Sequence, residues 1–311
     1  EIFWGADGWP YFGNGGKPVQ KGEIDLAAIP LPEHPRPDWE RKDWINLNGR
    51  WDFRFDNEGE YSHKILVPFG WGSGLSGVEN KGDIGWYRRN LNIPTSWKGK
   101  RVFLVIGASD HDTTVNFAGR NLGTHVGGYV PFEFELTEMV KHGENQPLEI
   151  KVWDPSDEIS REGHYLYGKQ GYGNARGIWQ TVWMEPVAEN RIESLKTTPD
   201  IDAGILTVKP NVKADENCVA EVKLFDGNNL IASGKSMNGM EATLPVPNAK
   251  LWSPESPFLY DMEVTLSRNG KVVDKVKSYA AMRKFSMKMG DDHIIRLQLN
   301  NEDYFQFGTL D

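Results

Sequence analysis

The chain has 311 residues, and single hydrophobic cores stop growing at roughly 250 to 300 residues, so two domains are expected. Its 44 Asp and Glu outweigh its 35 Lys and Arg, and the formal charge of −9 argues against the basic surface that nucleic acid or an anionic membrane requires. The single cysteine, Cys218, excludes an internal disulfide or a cysteine-based zinc site, and no apolar run approaches the ~20 residues of a membrane-crossing helix.

Taken in chain order, the elements are strands. No stretch of roughly ten residues repeats apolar positions every three to four, as an amphipathic helix would. Arg50 to Phe55 alternates apolar and charged residues, and His63 to Phe69, Gly85 to Ile93 and Arg101 to Ile106 are β-branched or aromatic runs bounded by Gly and Pro. Thr113 to Thr124 reads as a hairpin turning at Gly119-Arg120-Asn121, and Phe132, Phe134 and Leu136 alternate with glutamates on the next strand. One helical turn is expected over Glu138 to His142, capped by Thr137 and ended by Gly143. Leu148 to Trp153 and Gly177 to Glu185 return to strand.

Tryptophan usage changes abruptly, with only Trp252 beyond Trp183, which marks a boundary at the polar connector Pro186 to Asn190. Beyond it the strands are rich in Val, Lys and Leu, with hairpin turns at Asp226-Gly227-Asn228 and Asn269-Gly270. From Gly204 to Met282 the pattern gives about seven strands, the count of an immunoglobulin-like sandwich without its cysteine pair. Ile294 to Leu299 and Tyr304 to Phe307 read as two further strands across an Asn300-Asn301 turn. The sequence opens on Glu1 rather than Met, which points to trimming, and it lacks any Asn-x-Ser/Thr site; a bacterial periplasmic or secreted protein is the expectation.

Several motifs carry less than their pattern suggests. Gly72-Ser73-Gly74-Leu75-Ser76-Gly77 matches a dinucleotide fingerprint, but Val78 to Asp83 is polar and leads into a strand where that fingerprint needs a helix N-terminus, so it reads as a loop. Asp110-His111-Asp112 and Asp291-Asp292-His293 read as solvated turns, because neighbouring residues of an extended chain point to opposite faces and cannot jointly ligate a metal. No metal or other cofactor is expected. Trp51, Trp86, Trp153 and Trp183 lie inside strand patterns and read as packing, whereas Trp71, Tyr129, Tyr165, Tyr167 and Tyr172 lie in glycine-rich loops. Such loop aromatics are candidate platforms for the apolar face of a sugar.

In order along the chain, several segments resemble the N-terminal half of glycoside hydrolase family 2, the family of β-galactosidases, β-glucuronidases and β-mannosidases. They are Leu47 to Phe53, Val67-Pro68-Phe69, Gly85 to Arg89, Asn116 to Gly123, His125 to Phe132, Gly143-Glu144-Asn145, Gly177 to Trp183 and Leu251 to Tyr260. Ala280-Ala281-Met282-Arg283 departs from the usual Phe-Gly-x-Arg, and Gly127-Gly128 replaces the acidic residues that galactosidase-like members carry there. The resemblance implies an all-β chain. A galactose-binding-like jelly-roll β-sandwich with an N-terminal extension would fill residues 1–189, and an immunoglobulin-like sandwich would fill 190–286. Residues 287–311 would form a strand stub leading into a (β/α)₈ barrel, which needs ~250 further residues.

Retaining glycosidases work with two carboxyl groups about 5 Å apart, and in this family both come from the barrel, so no catalytic residue is nominated and the chain alone is expected to be inactive. The jelly-roll loops that would reach the substrate are Ser109 to Thr113, Thr124 to Tyr129 and Gly163 to Arg176. Within them Asp110, Tyr129, Lys169, Gln170 and Tyr172 are the implied sugar contacts, since sugar recognition combines hydroxyl-bonding groups with an aromatic face. The implied partners are a β-glycoside and the barrel of a parent chain, with no nucleic acid and no membrane. The alternative is a stand-alone carbohydrate-binding or interaction module. The apolar run Tyr304-Phe305-Gln306-Phe307, unprotected as an edge, favours the glycosidase portion.

Overall fold

The structure, a computed structural model, describes residues 29–154, 176–214 and 217–306, and the backbone alone of short strands at Ile2–Trp4, Pro10–Asn14, Lys17–Pro18, Ser160–Arg161 and His164–Tyr165. Strands are numbered within the first three ranges. They come in sequence as β1 (Ile45–Asn46), β2 (Gly49–Phe55), β3 (His63–Val67), β4 (Ile84–Asn92), β5 (Arg101–Ile106), β6 (Ser109–Asp110), β7 (Asp112–Phe117), β8 (Arg120–Val126), β9 (Phe132–Glu135), β10 (Asn145–Trp153), β11 (Gly177–Ile178) and β12 (Val182–Val187). Two antiparallel sheets, in the orders β8-β7-β10-β4-β2-β3 and β9-β5-β12-β1, enclose the first core.

Alternation builds that core directly. Trp51, Phe53 and Phe55 of β2 point inward and are fully buried, while Arg50, Asp52 and Arg54 face out. Tyr87 and Leu91 of β4, Val115 and Phe117 of β7, and Val102, Leu104 and Ile106 of β5 complete it. The hairpin between β7 and β8 turns on Ala118-Gly119, both in the left-handed region, one residue shorter and one residue earlier than the sequence suggested.

The second core is aliphatic. It lies between a three-stranded sheet, β13 (Arg191–Asp200), β14 (Ile205–Lys213) and β17 (Ala242–Pro245), and a four-stranded sheet. The latter has the order β16 (Asn229–Met237), β15 (Cys218–Asp226), β18 (Tyr260–Arg268) and β19 (Lys271–Ala280). These seven strands form the immunoglobulin-like sandwich, and Asn269-Gly270 makes its β18–β19 turn with both residues at positive φ. A last small sheet, β20 (Phe285–Met289), β21 (Ile295–Leu299) and β22 (Glu302–Asp303), follows. The strand expected at Tyr304 to Phe307 is thus earlier and shorter, Phe307 lies outside the described residues, and β20 is an addition.

Residues 34 to 46 tie the two sandwiches together. Glu40 pairs with Lys277 of β19 through two backbone bonds of 2.8 Å, and Trp39 packs into the second core while Trp44 packs on the outer face of the β5 sheet. Between them the buried Arg41 guanidinium holds Asp274 through Nε at 3.1 Å and Nη2 at 2.8 Å, donates to the Ile192 carbonyl at 2.6 Å and reaches Glu185 at 3.5 Å. Arg36 also pairs with Glu185.

Three expectations need correction. The helical turn is a single 3₁₀ turn at Thr137–Met139, and Thr137 does not cap it, because its hydroxyl accepts the Val102 amide at 3.0 Å from the neighbouring sheet. Trp86 and Trp153 are only half-buried, on the face of their strands opposite the core, and Trp86 stacks beneath Arg54 and donates to Asp56 at 2.7 Å. Trp71 is no loop platform; it is fully buried against Phe53, Phe55 and Tyr87.

Candidate functional site

The region singled out by the sequence lies where the two jelly-roll sheets meet, and its foundation is the buried aromatic group just described. Tyr87 and Trp71 present their ring edges to β11, and a Cβ on Gly177 would fall 2.2 Å from the Tyr87 hydroxyl and 2.3 Å from the Trp71 ring. Only glycine, here at φ 83°, lets the backbone lie this close. The Tyr87 hydroxyl accepts the Ile178 amide at 3.2 Å, and burial lifts its pKa far above the usual tyrosine range, so it remains a neutral strut. Arg176, with its guanidinium on Asp83 at 2.6 Å and its amide on the Trp71 carbonyl at 3.0 Å, anchors the approach to β11.

On this base β11 pairs antiparallel with β6, Gly177 opposite Asp110 and Ile178 opposite Ser109. Asp110-His111-Asp112 is therefore not a solvated turn: Asp110 is a half-buried strand residue joined to His111 by a cis peptide, and Nδ1 of His111 lies 2.8 Å from Asp112. The loop after β8 folds over it. The Gly127 amide donates to the His111 carbonyl at 3.2 Å, and a Cβ on Gly128 would stand 2.9 Å from Asp110 Oδ1, so the glycine is what allows the carboxyl and this loop to touch. His125 stacks on Phe132 at 4.0 Å between ring centres and steadies the loop's start.

Tyr129 follows, 84% exposed, with the Trp179 ring edge-on to it at 6.3 Å. Trp179 donates its indole N–H to the Gly128 carbonyl at 2.8 Å. Two of the five implied sugar contacts, Asp110 and Tyr129, are thus brought to one place. Lys169, Gln170 and Tyr172 lie outside the described residues, as do Tyr167 and the side chain of Tyr165. Trp179 was missed because the run Gly177 to Glu185 read as one strand; the strand in fact breaks after Ile178 and resumes at Val182, and the break turns the indole outward. The signal available was the Gln180-Thr181 polar pair inside an apolar run.

A carboxyl beside an exposed phenol ring can bind hydroxyls and cover an apolar C–H face, but it offers no nucleophile–base pair. Among the described residues no group of three or more His, Cys, Asp or Glu is placed to hold a metal ion. A second distinctive surface is the β20–β21 hairpin. Its register sets Phe285, Met287, Met289, Ile295 and Leu297 on one face, all exposed, with Ser286 and Gln298 on the other.

Comparison with known proteins gives concordant results. Residues 67–185 match the family model "Glycosyl hydrolases family 2, sugar binding domain", and residues 190–283 match "Glycosyl hydrolases family 2". A β-glucuronidase of Bacteroides fragilis is 28% identical over 269 residues, covering 78% of this chain and 38% of its own length. A β-galactosidase of Thermoanaerobacter pseudethanolicus is 24% identical over 204 residues, covering 61% and 27%. The solved structure of a β-glucuronidase from Ruminococcus gnavus in complex with uronic isofagomine superposes with a TM-score of 0.72 at 20% identity, over 85% of this chain and 48% of that one. The chain spans half or less of the length of each.

Proposed function

The chain belongs to glycosyl hydrolases family 2, of which it carries the sugar-binding and immunoglobulin-like domains, and on that premise we propose that it forms the substrate-shaping portion of a β-glycosidase. The observation that carries the reading is that the Asp110 carboxyl abuts Gly128, the residue directly before the exposed Tyr129 ring, which supports a hydroxyl-binding group and an aromatic face in one loop cluster. In this reading Lys169, Gln170 and Tyr172, outside the described residues, are the further sugar contacts. The two carboxylates that cleave the glycosidic bond belong to a (β/α)₈ barrel.

The exposed apolar face of the β20–β21 hairpin supports that partner, since soluble proteins rarely leave such a patch bare. We divide the chain after residue 189, between the two cores, and after residue 286, which falls within β20 at the start of this hairpin. The glycone is a β-linked sugar, and the names of the relatives, β-glucuronidases and β-galactosidases, leave the choice between acidic and neutral rings to experiment.

The test is hydrolysis of chromogenic β-glucuronide, β-galactoside, β-glucoside and β-mannoside by the purified 311-residue chain, with calorimetric titration of the same sugars. No turnover and at most weak binding are expected. Turnover above a heat-inactivated control would place the catalytic carboxylates within these β-domains and overturn the proposal.

A further inference from the structure

We infer that Trp179 is the positioning residue of this loop cluster, its indole N–H fixing the Gly128 carbonyl and thereby setting the Tyr129 ring beside the Asp110 carboxyl. Its meaning for sugar binding rests on the reading of Asp110 and Tyr129 above; its geometry does not.

Trp179 contacts both loops, in addition to the direct Gly127–His111 bond between them. Its backbone amide and that of Gln180 converge on the Ala108 carbonyl at 3.2 and 3.4 Å, at the root of the segment carrying Asp110. Its side chain crosses to the other loop and donates to Gly128 at 2.8 Å, directly before Tyr129. Gly128 is therefore bounded on two sides, held at its carbonyl by the indole and closed off where a Cβ would stand 2.9 Å from Asp110 Oδ1.

Packing does not account for a tryptophan here. The residue is 39% exposed, unlike Trp51 and Trp71, which fill the first core, and Trp183, which is buried on the outer face of the β5 sheet. A phenyl ring would supply the same edge-on contact to Tyr129 at 6.3 Å, but it could not hold a carbonyl. The indole N–H is the group that distinguishes the two. Tyr129, at 84% exposure, has little else to fix its ring, and held at 75° to Trp179 it forms a two-walled corner in which a pyranose can lay its C–H face on one ring and its rim on the other.

The experiment compares the wild-type 311-residue chain with Trp179→Phe, Trp179→Ala and Gly128→Ala. The readouts are amide exchange at Gly127, whose N–H is bonded to the His111 carbonyl, and the NMR signals of the Tyr129 ring. Loss of this one partly buried hydrogen bond is expected to speed Gly127 exchange about fivefold to tenfold in Trp179→Phe as much as in Trp179→Ala, with the melting temperature unchanged. Gly128→Ala is expected to do the same with the indole intact. Wild-type exchange and Tyr129 signals in Trp179→Phe would overturn the inference. Titration with methyl β-D-glucopyranoside separates the two levels: unshifted Tyr129 signals in the wild type count against the sugar reading alone, and the exchange rates still decide the role of Trp179.

Discussion

The two sandwiches solve the same packing problem with different materials. The first fills its interior with Trp51, Trp71, Trp97, Tyr87, Phe53, Phe55 and Phe117, while the second uses mainly Val, Leu, Ala and Met around Tyr260, with the partly buried rings of Trp39 and Phe258 packed against it. Large rings concentrate burial in a few residues and demand matching hollows, which Gly85 and Gly177 provide beside Trp71. Small branched chains spread the same burial over many near-equivalent positions. The contrast teaches where a loop site can be built: the rigid aromatic interior that supports β11 also fixes Asp110, and the aliphatic sandwich has no counterpart to it among the described residues.

The strongest test of that contrast is truncation in each core. Trp71→Ala should cost about 3–5 kcal/mol, against about 2 kcal/mol for the fully buried Val264→Ala, measured by denaturant unfolding. Equal losses would show that burial is no more concentrated in the first sandwich than in the second. Arg41→Ala comes next, at roughly 3 kcal/mol, since it leaves the Asp274 carboxylate buried without its guanidinium. Calorimetry should show one transition in the wild type and two in this variant; two in both would mean that the segment 34–46 does not couple the sandwiches.

The smallest effect is a pH dependence confined to the first sandwich. The Arg101 guanidinium, bonded to Glu135, depresses that carboxyl's pKa from 4.5 to about 2. Because the folded pKa is the lower one, the pair stabilises the fold above pH 4.5 and its contribution fades as the pH falls towards 2. Both side chains are partly exposed, so the difference between wild type and Glu135→Gln should stay under about 1 kcal/mol at neutral pH and vanish at the acid end.

Much of this was legible in the sequence, for a physical reason: strand alternation writes itself into residue order, and β2 is read inward at Trp51, Phe53 and Phe55 without further information. The same rule correctly applied places Tyr87 inside and Trp86 outside. What misled was glycine. The residues that made Trp71 look like a loop platform belong to the same class as Gly85 and Gly177, which approach it so closely that no side chain fits between, and this three-way packing joins positions far apart in sequence. Trp179 was hidden for the opposite reason, since a two-residue strand followed by a break looks, in sequence, like one continuous strand. The role of residues 34 to 46 was not legible at all, because nothing local marks Arg41 as the partner of Asp274.

That partnership bears on modular exchange. The second sandwich draws the ring of Trp39 into its core and the charge of Arg41 onto Asp274 from residues that precede the first sandwich. A chimera that moved residues 190–283 onto a foreign sugar-binding domain would therefore arrive incomplete, with a vacant socket and an unanswered carboxylate, unless it carried residues 36–41 along. The unit that can be transplanted is discontinuous, and its two parts flank the domain it would leave behind.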